Sequence, residues 1–336
     1  MSTPALLELC NVARDYPVGP TPLFGRRATL RALDGIDLKV PAGSIFGVVG
    51  ESGSGKSTLA RIVMALDRPT AGNVLFDGDD LFLLPPAALA ARRRDFQMVF
   101  QDPYGSLDPR SRIGRTVAEP LHVVPDALRG AERAALVGEA LESVGLKAAD
   151  AARFPHEFSG GQRQRIAIAR ALITRPKLVV ADEAVSALDL SVQAQVLNLL
   201  RSLRDRHGIT VLFITHNLAV IDCVADHVAV MYRGRVVETG PAQAVFARPF
   251  HPYTQLLIAA EPSLERIGRG LRRTPSAPPS AQIEGGGCAF LARCPLASGR
   301  CAAEAPALRA LEPGRASACH HAEALTEGAS SLHFPT

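Results

Sequence analysis

A chain of 336 residues with 47% apolar and 21% charged residues can bury a sizeable core; the composition is globular, not disordered, and the length suggests one large domain with an appendage or a second small domain. The formal net charge of +4 argues neither for nor against a nucleic-acid-binding surface, and of 37 basic residues only Lys39, Lys56, Lys147 and Lys177 are lysines. No signal-peptide pattern opens the chain and no apolar run approaches the ~20 residues of a membrane-spanning helix, so a soluble or peripheral protein is expected, with any membrane function supplied by partners.

Leu6–Val12, Ile36–Val40 and Ser44–Val49 read as strands, with a tight turn at Pro41-Ala42-Gly43 joining the last two. The run Ile45-Phe46-Gly47-Val48-Val49 leads into Gly50-Glu51-Ser52-Gly53-Ser54-Gly55-Lys56-Ser57, which fits G-x-x-x-x-G-K-[ST], and Ser57–Asp67 continues as a helix. Strand, glycine loop, helix is the order in which backbone N–H groups and a helix N-terminus wrap phosphates. Lys56 then reaches β- and γ-phosphates, the Ser57 hydroxyl ligates Mg²⁺, and Thr58 follows in the same first turn. Against an arginine-rich background Lys56 stands out, because a phosphate cradle takes a slim point charge and not a planar guanidinium.

Residues 110–156 are mostly helical in pattern, with Ala131–Val144 the clearest apolar-periodic stretch. At Phe158-Ser159-Gly160-Gly161-Gln162-Arg163-Gln164-Arg165, two adjacent glycines and a serine offer a second set of backbone N–H groups to a phosphate, at the start of a helix expected near Gln162. The chain then alternates: helix Gln162–Ile173, strand Lys177–Ala181, helix Ser191–His207, strand Thr210–Thr215, helix Leu218–Cys223, strand Val228–Arg233. That alternation is the pattern of a parallel sheet covered on both faces. Leu178-Val179-Val180-Ala181-Asp182-Glu183 is an apolar strand delivering two carboxylates to the sheet edge where ligands bind in open α/β folds. Asp182 is placed to hold Mg²⁺, directly or through water, and Glu183, facing differently, to polarise an attacking water.

After about residue 255 the character changes. Glu261–Ser280 is a Pro/Ser-rich linker, and beyond it lie Cys288, Cys294, Cys301 and Cys319, followed by His320 and His321. The spacing C-x5-C-x6-C-x17-C lacks the C-x2-C knuckles of common zinc sites, although four thiolates suit iron–sulfur or zinc, so a cluster, zinc and no metal all stay open. Cys10 and Cys223 lie in apolar surroundings and read as packed thiols.

The phosphate loop, the Ser159–Gln162 signature and the strand-borne carboxylates, in this order, resemble the ATP-binding cassette (ABC) ATPases. The resemblance implies an α/β P-loop NTPase with ATP and Mg²⁺ as cofactors: a RecA-like core with an antiparallel β subdomain and a helical subdomain at about 102–165. These together form a nucleotide-binding domain over 1–250, followed by a small Cys-rich C-terminal extension over 251–336. It implies that Gln101, in Val99-Phe100-Gln101-Asp102-Pro103, senses Mg²⁺ and water, and that His216, directly after the strand Thr210–Thr215, contacts the γ-phosphate. Asp189, in Ser186-Ala187-Leu188-Asp189, is expected to contact an opposite subunit. Tyr16 matches the aromatic that stacks on adenine, with Phe24 as its rival. Ser159, Gly160, Gly161 and Gln162 act in trans on ATP held by another subunit's loop, so nucleotide closes a dimer and hydrolysis opens it. Phe158 replaces a more usual Leu and Ala184 stands where a Pro commonly follows the glutamate; neither touches a phosphate contact, so an active ATPase is expected.

Three longer stretches, Gln101-Asp102-Pro103-Tyr104-Gly105-Ser106-Leu107-Asp108-Pro109-Arg110, Ser191-Val192-Gln193-Ala194-Gln195-Val196-Leu197-Asn198 and His251-Pro252-Tyr253-Thr254, look like ATPase subunits of oligopeptide/dipeptide importers. That branch implies a second ATPase subunit, identical or related, and integral membrane permeases whose coupling helix lies near Tyr104–Arg115. It also implies an extracytoplasmic solute-binding protein, a peripheral place on the cytoplasmic face of the inner membrane, and in some members a [4Fe–4S] cluster on such cysteines. The branch includes importers of nickel and other small solutes. A soluble ABC ATPase of DNA repair or translation is the rival of another class, disfavoured by the single uninterrupted cassette; a drug exporter is disfavoured by the lack of a fused membrane span.

Overall fold

The computed structural model describes residues 4–19, 27–102, 105–123, 130–186, 188–260 and 286–327. Its strands in chain order are β1 (Ala5–Pro17), β2 (Thr29–Pro41), β3 (Ile45–Val49), β4 (Ala71–Phe76), β5 (Asp79–Asp80) and β6 (Phe96–Val99). They continue as β7 (Leu178–Asp182), β8 (Thr210–Thr215), β9 (His227–Tyr232), β10 (Arg235–Pro241), β11 (Arg309–Glu312) and β12 (Arg315–Ser317). One sheet has the order β2-β1-β4-β5 and is antiparallel; the other has the order β11-β12-β10-β9-β3-β8-β7-β6. In the second, β9, β3, β8, β7 and β6 are parallel, and β10, β12 and β11 continue it antiparallel.

Why the parallel strands read as unbroken apolar runs is visible in their burial: every residue of β3 and β8 is buried. Alternate side chains enter opposite cores. Ile45, Val49, Val179, Val211 and Phe213 face the helices Gly160–Leu172, Leu190–His207 and Leu218–Val224. Phe46, Val48, Val180, Leu212 and Ile214 face the helix Lys56–Val63 and the antiparallel sheet, where Leu7, Leu9, Leu33 and Ile36 are buried. A third layer of helices, including Ile113–Val117 and Ala131–Ser143, joins the first core through Ile113, Val117, Val137, Leu141 and Phe158.

Several elements differ from the sequence expectation. β1 and β2 each run to 13 residues. The first helix ends at Val63 instead of Asp67, because Ala65 turns left-handed (φ 49°) and the Leu66 N–H closes back on the Arg61 carbonyl at 2.8 Å. The chain's C-terminal part does not stand off as a tail: the β11–β12 hairpin adds to the edge of the core sheet. The linker Glu261–Ser280 and Phe24 lie outside the described residues. Among the described residues no helix is long and apolar enough to cross a membrane.

His-Pro-Tyr-Thr is explained by packing at this seam. Glu238 on β10, fully buried, accepts the Phe250 N–H at 2.7 Å and the His251 N–H at 3.0 Å, and His251 Nδ1 accepts the Tyr253 N–H at 3.0 Å where the helix Pro252–Ala260 begins. Burial of the His251 ring, 2% exposed, pushes its pKa down to about 3. His251 therefore stays neutral in the fold but charges in the unfolded chain: its contribution to stability is complete above pH 6.5 and is lost as pH falls from 6.5 towards 3. We expect about 2 kcal/mol of stability to be lost between neutrality and about pH 5. Denaturant midpoints of wild type and His251→Gln at both pH values check this; equal pH slopes in the two proteins would exclude it.

Candidate nucleotide site

Because β3, β6, β7 and β8 are parallel, the segments that follow them leave one edge of the sheet. That edge gathers the glycine loop after β3, Gln101 after β6, Asp182 and Glu183 at the end of β7, and His216 after β8. Gly55, at φ 104°, is the N-cap of the helix that starts at Lys56, so Lys56, Ser57 and Thr58 occupy its first turn with no side chain capping them. Only glycine adopts that backbone without strain, and a Cβ there would lie 2.7 Å from the Ala32 carbonyl oxygen.

The Lys56 ammonium, 6% exposed, folds back on its own loop, donating to the Gly50 carbonyl at 2.7 Å, the Glu51 carbonyl at 2.9 Å and Ser54 Oγ at 3.4 Å. Burial lowers its pKa, while Glu183, Asp182 and Glu51 pull it back up. Asp182 is the converse: burial and the neighbouring Glu183 raise its pKa, and Lys56, Arg61 and a hydrogen bond from the Ser57 hydroxyl oppose them. Its Oδ1 is buried with no hydrogen-bond partner. An orphaned carboxylate oxygen beside a serine hydroxyl is a donor set suited to a hard, oxygen-seeking cation such as Mg²⁺.

Glu183 leaves the strand in a left-handed backbone (φ 48°), fixed by its N–H donating to the Ile214 carbonyl at 2.8 Å. The turn swings its carboxylate off the strand, where Oε1 meets His216 Nδ1 at 3.1 Å. Ala184 is buried behind it, and the His216 side chain is 57% exposed. Gln101 and its neighbour Phe100 are exposed at the end of β6.

The glycine signature lies on another element. The helix begins at Gly160, earlier than expected, with Ser159 as N-cap: Ser159 Oγ accepts the Gln162 N–H at 3.4 Å and Gln162 Oε1 accepts the Ser159 N–H at 3.0 Å. Gly161 is required by packing, since a Cβ there would sit 2.4 Å from Val192 Cγ1. Val192 belongs to the helix Leu190–His207, whose N-cap is Asp189; that carboxylate accepts from Ser191 Oγ at 2.7 Å and the Val192 N–H at 2.9 Å, which lower its pKa. Tyr16, on β1, donates its hydroxyl to Asp67 and carries the Arg14 guanidinium 4.6 Å from its ring centroid, so one ring face is already covered.

Two contacts to the loop were not legible in the sequence. Tyr253 Oη accepts the Glu51 N–H at 2.9 Å, and Arg293, 242 positions away, donates to both Glu51 carboxylate oxygens. No local pattern announces either. Of the cysteines, Cys223 is exposed, contrary to its expected packing, and Cys10 is half-buried. Cys288 and Cys294 are half-buried and Cys301 and Cys319 buried, all as free thiols. Burial, with a smaller contribution from neighbouring cysteines, pushes Cys294 up to about 11 and Cys319 up to about 12. The thiols thus feel one another, but among the described residues no group of three or more His, Cys, Asp or Glu is arranged to hold a metal ion.

The ABC transporter family profile matches residues 33–186, and the profile of the oligopeptide/dipeptide transporter C-terminal region matches 237–301. A probable peptide ABC transporter ATP-binding protein of Sinorhizobium fredii is 48% identical over 94% of this chain and 90% of its own length. A di/tripeptide transport ATP-binding protein of Pseudomonas aeruginosa is 46% identical over 95% of this chain and 98% of its own. Among solved structures, a dimeric bacterial ABC transporter cassette aligns with a TM-score of 0.62 at 32% identity, covering 70% of this chain and 98% of that one. The same cassette in a post-hydrolysis state bound to ADP and Pi gives the same TM-score and coverage. With relatives this similar over nearly the whole chain, the protein belongs to the ABC transporter ATP-binding proteins, in their oligopeptide/dipeptide branch.

Proposed function

We propose that this ATPase powers import of oligo- or dipeptides across the cytoplasmic membrane. The observation that carries the reading is the convergence of Lys56, Ser57, Asp182, Glu183 and His216 at one sheet edge, in a chain whose full-length relatives are named for peptide transport. Gly50, Glu51, Ser52, Gly53, Ser54 and Gly55 supply the loop around the phosphates, and Lys56 exchanges its loop carbonyls for β- and γ-phosphate oxygens. Ser57 and Asp182 would hold Mg²⁺, with Gln101 as the third residue assigned to it, and the bound ion would supply charge neutralisation for the phosphate oxygens. Glu183 takes the proton of a water whose oxygen attacks the γ-phosphorus, as the bond from that phosphorus to the bridging oxygen breaks and ADP departs. His216 steadies Glu183 through its 3.1 Å contact and faces the γ-phosphate, and Tyr16 offers its remaining ring face to adenine.

Ser159, Gly160, Gly161 and Gln162 act on ATP in the opposite subunit, which requires a second ATPase of this kind; Asp189 lies on the same dimer face. Residues 1–250 form the nucleotide-binding domain, with the helical subdomain at about 102–165, and 251–336 its extension. Permease subunits anchor the pair at the inner face of the membrane, and a solute-binding protein delivers peptide from the other side. Cys288, Cys294, Cys301 and Cys319 have the donor chemistry for a [4Fe–4S] cluster or zinc, and no step above depends on either. Iron, sulfide and zinc analysis of anaerobically purified protein decides that point.

The test is ATP hydrolysis by the chain co-purified with candidate permease pairs. Turnover stimulated by peptide-loaded solute-binding protein is expected. Indifference to every permease, with tight salt-sensitive nucleic-acid binding, would move the chain to the soluble ATPases; stimulation by a nickel-loaded binding protein alone would change the cargo.

A further inference from the structure

In G-x-x-x-x-G-K-[ST] the second position is free to be any residue, yet here Glu51 is held at three points. Its carbonyl accepts from Lys56 at 2.9 Å, its N–H donates to Tyr253 Oη at 2.9 Å, and its carboxylate receives both arms of the Arg293 guanidinium, each at 2.9 Å. Two of the three partners come from beyond residue 250. Such a two-armed ion pair fixes orientation as well as distance, because the guanidinium fork matches the two carboxylate oxygens.

The Arg293 side chain is 14% exposed while that of Glu51 is 41% exposed, so the anchor is firm and the held loop lies nearer the surface. Arg293 sits over an aromatic platform, 5.6 Å from the Phe290 ring centroid and 5.9 Å from that of Tyr232. Tyr232, Tyr253 and Phe290 pack on one another with centroids 4.5–5.5 Å apart, and all three are buried. Tyr253 opens the helix Pro252–Ala260, and Tyr232 ends β9, beside β3 from which the loop springs. The backbone carrying Arg293 is equally tied: the Leu291 N–H donates to the Cys288 carbonyl at 3.0 Å, the Arg293 N–H to the Phe290 carbonyl at 3.0 Å, and the Cys288 N–H to the Cys301 carbonyl at 2.7 Å.

We propose that Arg293, braced by the Cys288–Cys294 turn and seconded by Tyr253, is a positioning residue of the ATP site, holding the phosphate loop open through Glu51. The proposal rests on the nucleotide-site reading given above. A loop so held meets nucleotide with its N–H groups already aimed, so the effect falls on nucleotide affinity; Arg293 is bonded to Glu51 while Glu183 meets His216, so the hydrolytic step keeps its rate. The carboxylate and guanidinium act through one another, so removing both should cost no more than removing either.

The experiment is steady-state ATP hydrolysis by the full chain in its permease complex, comparing wild type with Arg293→Ala, Glu51→Gln and the double variant, with Lys56→Ala as the control for the site itself. We expect each single variant to raise KM for ATP about fivefold, kcat to stay within about twofold, and the double variant to match the worse single. Thermal unfolding of Glu51→Gln, which keeps the side chain's size, should match wild type, so the proposal stays testable even where Arg293→Ala fails to fold. Unchanged KM, independent additive effects, or a loss confined to kcat would overturn it. If Lys56→Ala hydrolyses ATP like wild type, the nucleotide-site reading itself is wrong, which is a different result from an Arg293 variant that behaves normally.

Discussion

Glu183→Gln is expected to lower ATP hydrolysis by about two to four orders of magnitude while leaving ATP binding intact. The amide keeps the shape that fits the left-handed turn and the Ile214 carbonyl contact, and it still hydrogen-bonds His216, but it cannot accept a proton from water. With hydrolysis blocked, ATP should remain between two subunits, and Mg·ATP should shift the variant to a dimer on gel filtration. Asp182 supports the asymmetry of roles, since its unpartnered Oδ1 and raised pKa suit a cation ligand, whereas Glu183 is turned out towards His216. Wild-type turnover in the variant would remove Glu183 from the mechanism and leave His216 or a bound water to take the proton.

The largest effect on stability is expected at Arg315. It is 5% exposed, lies 3.5 Å from the fully buried Glu238, donates to the Arg248 carbonyl at 2.5 Å and to Glu312 at 3.2 Å, and stacks 3.6 Å from the Phe250 centroid. Burial already pushes Glu238 up to about 7 against the opposing pull of Arg315 and two backbone N–H groups. Arg315→Ala removes the counter-charge and leaves that carboxylate to be protonated or buried unpaired, a change that costs about 3–5 kcal/mol. Denaturant unfolding at neutral pH measures it. A loss below about 1 kcal/mol would mean that the pair behaves as an exposed one and does not hold the β10–β12 seam.

How much of this was legible in the sequence depended on how locally each feature is determined. β3, β7 and β8 are covered on both faces, so Ile45–Val49, Leu178–Ala181 and Thr210–Thr215 had to be continuous apolar runs and announced themselves. β1 and β2 are covered on one face along part of their length; beyond Val12 the chain turns to Arg14 and Asp15, which pairs across to Arg31 at 2.9 Å, and the strand signal fades although the pairing continues. The short strands β11 and β12 carry Arg309, Glu312 and Arg315 and exist because β10 offers an edge, which no local pattern encodes.

The site divides the same way. The glycine loop and the paired carboxylates are local and were readable. The left-handed turn at Glu183 and the capping roles of Ser159 and Asp189 needed the backbone. Those caps bear on the proposed trans site: in the single chain both side chains are already engaged, so the signature would offer mainly its backbone and helix N-terminus to a nucleotide held by a second subunit. The Arg293–Glu51 pair spans 242 positions and depends on how the C-terminal segment packs, which is why the sequence is silent about it.

Peptide import is tested most directly by uptake of a labelled dipeptide into proteoliposomes that hold the chain, its permease pair and internal ATP, with solute-binding protein outside. ATP-dependent accumulation is expected, and it should disappear with Lys56→Ala and with Glu183→Gln. Sustained ATP hydrolysis without peptide accumulation, or accumulation that persists in both variants, would contradict it.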